Sequence, residues 1–466
     1  MNRSLKETLA SLPPELASSQ LPEIRKLLAA TNRKIIVLDD DPTGTQTVYD
    51  TPVLTTWSTD AIAQELDGDH QLIYILTNSR SLPSEAAEKL AREIGNNLAK
   101  VSASKQQPLS VISRSDSTLR GHYPIEVDAL ADSLGRADAP QVIMPFFLQG
   151  GRLTIDDVHY VADGDDLVPA SETPFAKDAA FGFHNANLID WVIEKRGGQI
   201  RRDQITSISL GELRSGDTES LTARLTAMPA NQVCVVNAVT MRDVESFVVA
   251  ALHAENYGSQ FVYRTAASFV QAYAGLEPKP VLDSDEMVNP SAKSGLIAVG
   301  SYVPKTTAQL KHLIENAENL VAVELSVNEI LGDQSDAHLA DAIAATSRHL
   351  QAGHNVVLHT SRDLVTGDNA NSSLEIGNRV SAALVQVVRS IDAPLRFLIA
   401  KGGITSSDIA TRGLEAKRAI VLGQILPGVP VWQTQQESRR PGLAYVVFPG
   451  NVGGDDALLQ AYQKLQ

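Results

Sequence analysis

Arg114-Ser115-Asp116-Ser117-Thr118-Leu119-Arg120-Gly121 follows the short apolar run Leu109–Ile112. The run reads as a buried strand. A strand that ends in arginines, an aspartate and hydroxyls is building a polar surface, not a core. Arginine forks grip carboxylates and phosphates, and glycine lets a backbone come close. Asp and hydroxyl side chains suit sugar hydroxyls. A solvated loop with a capped helix behind it is the competing reading. Strand-end loops are nevertheless where open α/β sheets hold their ligands, so the rest of the chain has to decide.

Outward from this stretch, short β-rich runs alternate with helical patterns. Strands are expected at Lys34–Leu38, Leu72–Thr77, Leu109–Ser113, Gln141–Pro145, Gln232–Asn237 and Gln260–Arg264. Most are apolar on both faces, as parallel strands covered by helices must be. Ser84–Val101 and Ile125–Leu134 space their apolar residues at helical intervals. Leu276–Ser294 then turns to Pro278, Pro280 and Pro290 with Asp283 and Asp285. The strand pattern restarts at Leu296–Gly300, Leu320–Leu325, Asn355–His359, Arg396–Ala400 and Ala444–Phe448. The expected architecture is α/β: two domains with mainly parallel sheets facing across a cleft. The first spans residues 1–280, a linker 281–293, and the second 294–466. Thr154–Ile205 is loop-rich, with Gly164, Gly182, Gly197 and Gly198, and reads as a lid or a long excursion near the site.

Composition narrows the function classes. A chain of 466 residues exceeds one ordinary core. Its 43% hydrophobic and 20% charged residues suit a soluble globular protein. A net charge of −15 argues against nucleic acid or an anionic membrane as partner, while local arginines still leave room for a small anion. The one cysteine, Cys234, lies in the apolar run Gln232–Val236 and reads as a buried strand thiol. It excludes a disulfide within the chain and fits a reducing compartment. No run approaches the roughly 18 apolar residues of a membrane span, and residues 1–20 lack an apolar core, so a cytoplasmic address is expected. The ten histidines show no zinc-type spacing; His122, His159 and His184 read as ordinary polar or supporting residues.

Polar constellations recur at the strand ends. Asp39-Asp40-Asp41-Pro42-Thr43-Gly44 follows the first strand, and three adjacent carboxylates need a cation, an arginine or a hydroxylated ligand beside them. In Arg114–Gly121, Asp116 is placed to take a proton from a hydroxyl, and Arg114 and Arg120 to clamp an anion; a simple Asp116–Arg120 pair is the alternative. Gly150-Gly151-Arg152 delivers another guanidinium after a strand. In the second half, Gly300-Ser301, Lys401-Gly402-Gly403-Ile404-Thr405-Ser406 and Gly450-Asn451-Val452-Gly453-Gly454 end three strands with small residues. Free backbone N–H groups there suit phosphate, against the plainer reading of a capped strand–turn–helix. Neither a Walker element nor a dinucleotide fingerprint is present.

Taken together, these motifs resemble the four-carbon acid sugar kinases, over about Lys34 to Tyr462. The family's Asp-Asp-x-Thr-Gly is similar to Asp40–Gly44, its Asp-Ser-Thr-Leu-Arg-Gly to Asp116–Gly121, and its Pro-x-Phe…Gly-Arg to Pro145–Arg152. Its Gly-Gly-x-Thr-Ser, Leu-x-Pro-Gly-Val-Pro and Gly-Asn-x-Gly-Gly resemble Gly402–Ser406, Leu426–Pro430 and Gly450–Gly454. Ile404 stands where many relatives are acidic, Ser407 where many carry Gly, and Arg114 where Lys is commoner.

The resemblance implies an ATP-dependent kinase, with Mg²⁺, that phosphorylates a terminal hydroxyl of a small sugar acid or oxo-acid such as threonate or erythronate. Asp40, Asp41, Arg114, Asp116, Arg120 and Arg152 are then expected at the sugar acid, with Asp116 or Asp41 as the hydroxyl-orienting base and Arg120 as charge clamp. Gly300, Ser301, Gly402, Gly403, Ile404, Thr405, Ser406, Gly450, Asn451, Gly453 and Gly454 are expected at the nucleotide. No metal ligand is assigned, and a homo-oligomer is compatible with the sequence. A sensor that binds ATP and a sugar acid without turnover is the alternative; a nicotinamide oxidoreductase is argued against by the missing fingerprint.

Overall fold

The computed structural model describes residues 3–362, 365 and 370–466. The chain forms two compact units, one from Met1–Thr47 with Thr56–Pro278 and one from Val48–Thr55 with Lys279–Gln466.

The first unit is a parallel sheet in the order Ile205–Ile208, Val233–Val236, Gln141–Met144, Val262–Thr265, Leu109–Arg114, Lys34–Asp39 and Leu72–Leu76. Every pairing along it is parallel. Its central strands are buried along their whole length, which is why they read as continuous apolar runs. Helices such as Ser84–Lys105, Ile125–Ser133 and Met241–Asn256 connect the strands. Cys234 is buried in its strand and burial pushes its thiol up to about 12, as a structural thiol requires.

The 154–205 excursion is more ordered than its composition predicts. Arg152–Ile155, Val158–Asp163 and Asp166–Pro169 form, with Arg3–Ser4, a four-stranded antiparallel sheet. Helix Leu188–Lys195 then packs Trp191 on Tyr123, ring centroids 4.9 Å apart.

The second unit is mixed. Thr51–Leu54, Arg418–Leu426, Val429–Thr434 and Ala444–Phe448 pair antiparallel in turn; Leu395–Lys401, Ser294–Val299, Asn355–Thr360 and Leu320–Leu325 continue the sheet in parallel. Sequence reading did not foresee the first three of these. The stretch expected as a linker also packs here: Leu282 and Met287 are buried in the core with Phe397, Val431 and Tyr462. Among the described residues no helix is long and apolar enough to cross a membrane.

Candidate active site

Parallel register brings the strand ends of the first unit level. Asp39 stands opposite both Arg114 and Leu76, and Thr265 opposite both Arg114 and Met144. The turns that follow therefore emerge along one edge. Asp41 caps the short helical turn Pro42–Thr45, its Oδ1 accepting from Thr43 N at 2.8 Å and Thr43 Oγ1 at 2.5 Å. Gly44 is required: a Cβ there would lie 2.1 Å from Asp39 Oδ1.

The cation that three adjacent carboxylates demand is Arg80, on the turn after Leu72–Leu76. Its Nη2 is 2.8 Å from Asp41 Oδ2, its Nε 3.2 Å from Asp40 Oδ2 and its Nη1 3.4 Å from Asp116 Oδ1. His122 holds that turn in place, donating from Nε2 to the carbonyls of Ser79 and Leu82, each at 3.0 Å. Arg114 is buried and donates to Asp39 Oδ1 at 3.1 Å. His159, fully buried, donates from Nε2 to Ser117 O at 2.8 Å and so fixes the Asp116 loop. Burial lowers its pKa to about 4, which keeps the ring neutral.

The carboxylates divide by environment. Burial would raise Asp116, but Arg120 and Arg80, with hydrogen bonds from Arg120 and Thr118, hold it well below the usual carboxylate range. Asp41 likewise lies low despite burial, through Arg80 and its two bonds from Thr43. Asp40 goes the other way: burial raises its pKa against Arg80, Arg114 and Arg264. Neither of its oxygens accepts a hydrogen bond from a described residue. Asp39, with burial dominant over Arg114, is raised to about 7.

Arg264, from the strand Val262–Thr265, completes the edge. Its Nη2 donates to Arg120 O at 3.1 Å, while Nε and Nη1 are buried with no hydrogen-bond partner among the described residues. Between it and Asp40 lies Gly121, at φ +111°; a Cβ added there would meet Arg264 Nη2 at 3.2 Å and Asp40 Oδ2 at 3.3 Å. Buried donors and acceptors left unpaired around a side-chain-free point suit a polar, hydroxylated anion. The 154–205 excursion adds Phe175, over which Arg120 and Arg152 stack at 5.1 and 5.7 Å, and Asp178, 3.7 Å from Arg120. Arg152 is half-buried, and its Nη1 donates to Gly150 O.

Asp40, Asp41, Arg114, Asp116, Arg120 and Arg152 all fall on this edge. Sequence reading missed Arg80 and Arg264. Arg80 hides in the unremarkable Asn78-Ser79-Arg80-Ser81; Arg264 sits at the end of an expected strand, and a guanidinium closing an apolar run is the available signal.

In the second unit, Val299 pairs beside Lys401 and Lys401 beside Phe448, so Gly300, Gly402 and the Pro449–Gly450 turn end three adjacent parallel strands. The close packing excludes side chains: a Cβ on Gly300 would lie 2.3 Å from Thr405 Oγ1, and one on Gly402 (φ +117°) 2.8 Å from Ser301 Cβ. Thr306 Oγ1 donates to Gly450 O at 3.0 Å, and Gln309 Nε2 to Val452 O and Gly454 O at 2.9 and 2.7 Å. Asn451, Gly453, Gly454 and Ile404 are exposed, and Gly403 is half-buried. Thr405 and Ser406 are buried, and Ser406 Oγ already donates to Ala400 O at 2.8 Å. The α-helix Gly403–Asp408 is only six residues long and passes into a π turn, Ile409–Gly413. Its dipole is correspondingly small. Among the described residues no trio of His, Cys, Asp or Glu is placed to hold a metal ion.

Comparison with known proteins follows this division. Residues 35–273 match the model of a sugar-binding N-terminal domain, and 296–458 that of a nucleotide-binding C-terminal domain. A D-erythronate kinase of Heliobacterium modesticaldum is 27% identical over 265 residues, 56% of this chain and 54% of the relative. The match thus spans about half the length of that curated relative. Among solved structures, Haemophilus influenzae protein HI1011, of the DUF1537 family, superposes with TM-score 0.61 at 18% identity, over 92% of this chain and 100% of that one. A Salmonella typhimurium LT2 protein described as a tRNA synthase gives TM-score 0.68 at 17% identity, over 93% and 99%. At these identities the structural likeness shows the fold.

Proposed function

From the premise that this chain belongs to the four-carbon acid sugar kinase family, we propose that it transfers the γ-phosphoryl group of ATP to a terminal hydroxyl of a small sugar acid. The observation that carries this reading is the set of buried polar atoms around Gly121 that lack hydrogen bonds to described residues: both Asp40 oxygens and Nε and Nη1 of Arg264. A sugar acid offers a carboxylate for Nε and Nη1 of Arg264 and hydroxyls to donate to the Asp40 oxygens.

Asp40 is the better base than either carboxylate expected from sequence. Asp116 and Asp41 are held low by arginines and hydrogen bonds, and a base pinned far below neutrality accepts a proton poorly. Their role is to fix Arg80 and Arg120. In the proposed step the substrate hydroxyl oxygen bonds to the γ-phosphorus, its proton passes to Asp40, and the bond to the β-phosphate oxygen breaks to release ADP. Arg80 and Arg120 stabilise charge on the transferring group. Mg²⁺ would come on the phosphates, as it does where proteins supply few carboxylates, and would neutralise their charge. The nucleotide is assigned to the glycine turns at 300–301, 402–403 and 450–454.

An ADP-release assay over threonates, erythronates, oxo-tetronates and branched oxo-acids tests the reading. ADP formation dependent on one of these acids is expected, with Arg264→Gln raising its KM about tenfold or more. Saturable binding of acid and ATP with no ADP formed would overturn the proposal in favour of a sensor.

A further inference from the structure

Lys401 ends the central strand of the three that carry the glycine turns, and its side chain has no exposed surface. Nζ donates to Pro449 O at 2.5 Å and to Gly450 O at 3.3 Å, and lies 4.1 Å above the Phe448 ring. Among the described residues it has no carboxylate partner. A buried ammonium held only by carbonyls and a ring face is an uncompensated charge. We propose that Lys401 is the positioning residue of the nucleotide turns: its ammonium ties the Gly450 turn to the neighbouring strand, and an anion bound at those turns holds it in the charged form.

The surroundings support this. The cation facing it is Lys305, from helix Pro304–Asn316, itself 3.5 Å from Asp455. Asp408, on the helix after the Gly402 turn, is engaged by Ser381 and lies 3.8 Å from Arg412. On the far side, Arg362 donates to Ser301 O and Thr360 O, and His359 Nδ1 to Thr360 O. None of these neutralises Lys401. Burial, reinforced by Lys305, lowers its pKa to about 7. A bound polyphosphate supplies the missing negative charge, raises that pKa and draws in a proton. The same ammonium then holds Gly450 where its N–H can meet the phosphate.

The inference rests on the kinase reading, and the experiment separates the two. Mg·ADP is titrated calorimetrically into the full chain at pH 8, in two buffers of different ionisation enthalpy. The expected result is uptake of roughly half a proton or more per nucleotide, and about tenfold weaker binding on going from pH 7 to pH 9. Lys401→Met is expected to bind about tenfold more weakly at pH 7 and without the linked proton. Binding of Mg·ADP by the wild-type chain with the same enthalpy in both buffers would overturn the role of Lys401, and so would a Lys401→Met variant that keeps the proton uptake. A wild-type chain that binds no Mg·ADP contradicts the nucleotide reading itself, and this inference with it.

Discussion

Asp39, Asp40 and Asp41 are consecutive, yet their surroundings give them three different chemistries. Asp39 spends its charge on Arg114 and Asp41 on Thr43 and Arg80, while Asp40 has Arg80 and Arg114 nearby but accepts no hydrogen bond from a described residue. Asp40→Asn should therefore lower kcat about 100-fold or more while changing the KM for the acid much less. A base acts only when deprotonated, and burial raises Asp40, so activity should fall with decreasing pH along a limb above the ordinary carboxylate range. A pH–rate profile of the wild type measures that limb. Glu126 carries a second signature. Burial, with Asp40 nearby, raises it to about 7. An acid whose folded pKa is raised contributes its stability at low pH and loses it as pH climbs from about 4.5 to 7. Glu126→Gln should thus stabilise the unliganded protein at pH 8 by about 1–3 kcal/mol and leave it unchanged near pH 4. Thermal melts at the two pH values check this; equal effects at both would contradict it. The candidate polar residues were legible because they cluster in short motifs at strand ends. Which carboxylate is left without a hydrogen bond was not, because it depends on Arg80, 40 residues downstream of Asp40, and on Arg264, far beyond it.

At the scale of elements, the strands that carry the site are those the sequence announces most clearly. Lys34–Asp39, Leu109–Arg114, Leu395–Lys401 and Ala444–Phe448 are covered on both faces, and a continuous apolar run follows from that. Arg418–Leu426 went unseen because it alternates buried and half-buried positions and carries Arg418, Gly423 and Gln424. Arg152–Ile155 and its partners were obscured by glycines and acids in the turns between them. The Pro42–Thr45 turn shows how tightly such a connection is made. Gly44→Ala would drive a methyl into the Asp39 carboxylate, which cannot retreat without abandoning Arg114. A loss of about 1–3 kcal/mol is expected, or a fall in Tm of roughly 2–12 °C. A variant that melts like the wild type would mean that the turn opens freely.

For the whole molecule, the partition into two α/β units was readable from the break in pattern near residue 280. The exchange of one strand was not: Thr51–Leu54 lies early in the chain but pairs with Arg418–Leu426 in the second unit, and no local pattern encodes so distant a partner. Each unit carries its own polar edge, one with carboxylate and guanidinium atoms that lack hydrogen bonds to described residues, the other with side-chain-free turns over a buried lysine. The proposed kinase requires both edges in one reaction, with Asp40 receiving the proton. The most direct test is to follow phosphate in a single-turnover reaction of the wild-type chain with ATP and a four-carbon sugar acid. The account predicts one phosphorylated acid for each ADP formed, and near-total loss of both products in Asp40→Asn. ADP appearing with free inorganic phosphate and unmodified acid would contradict it.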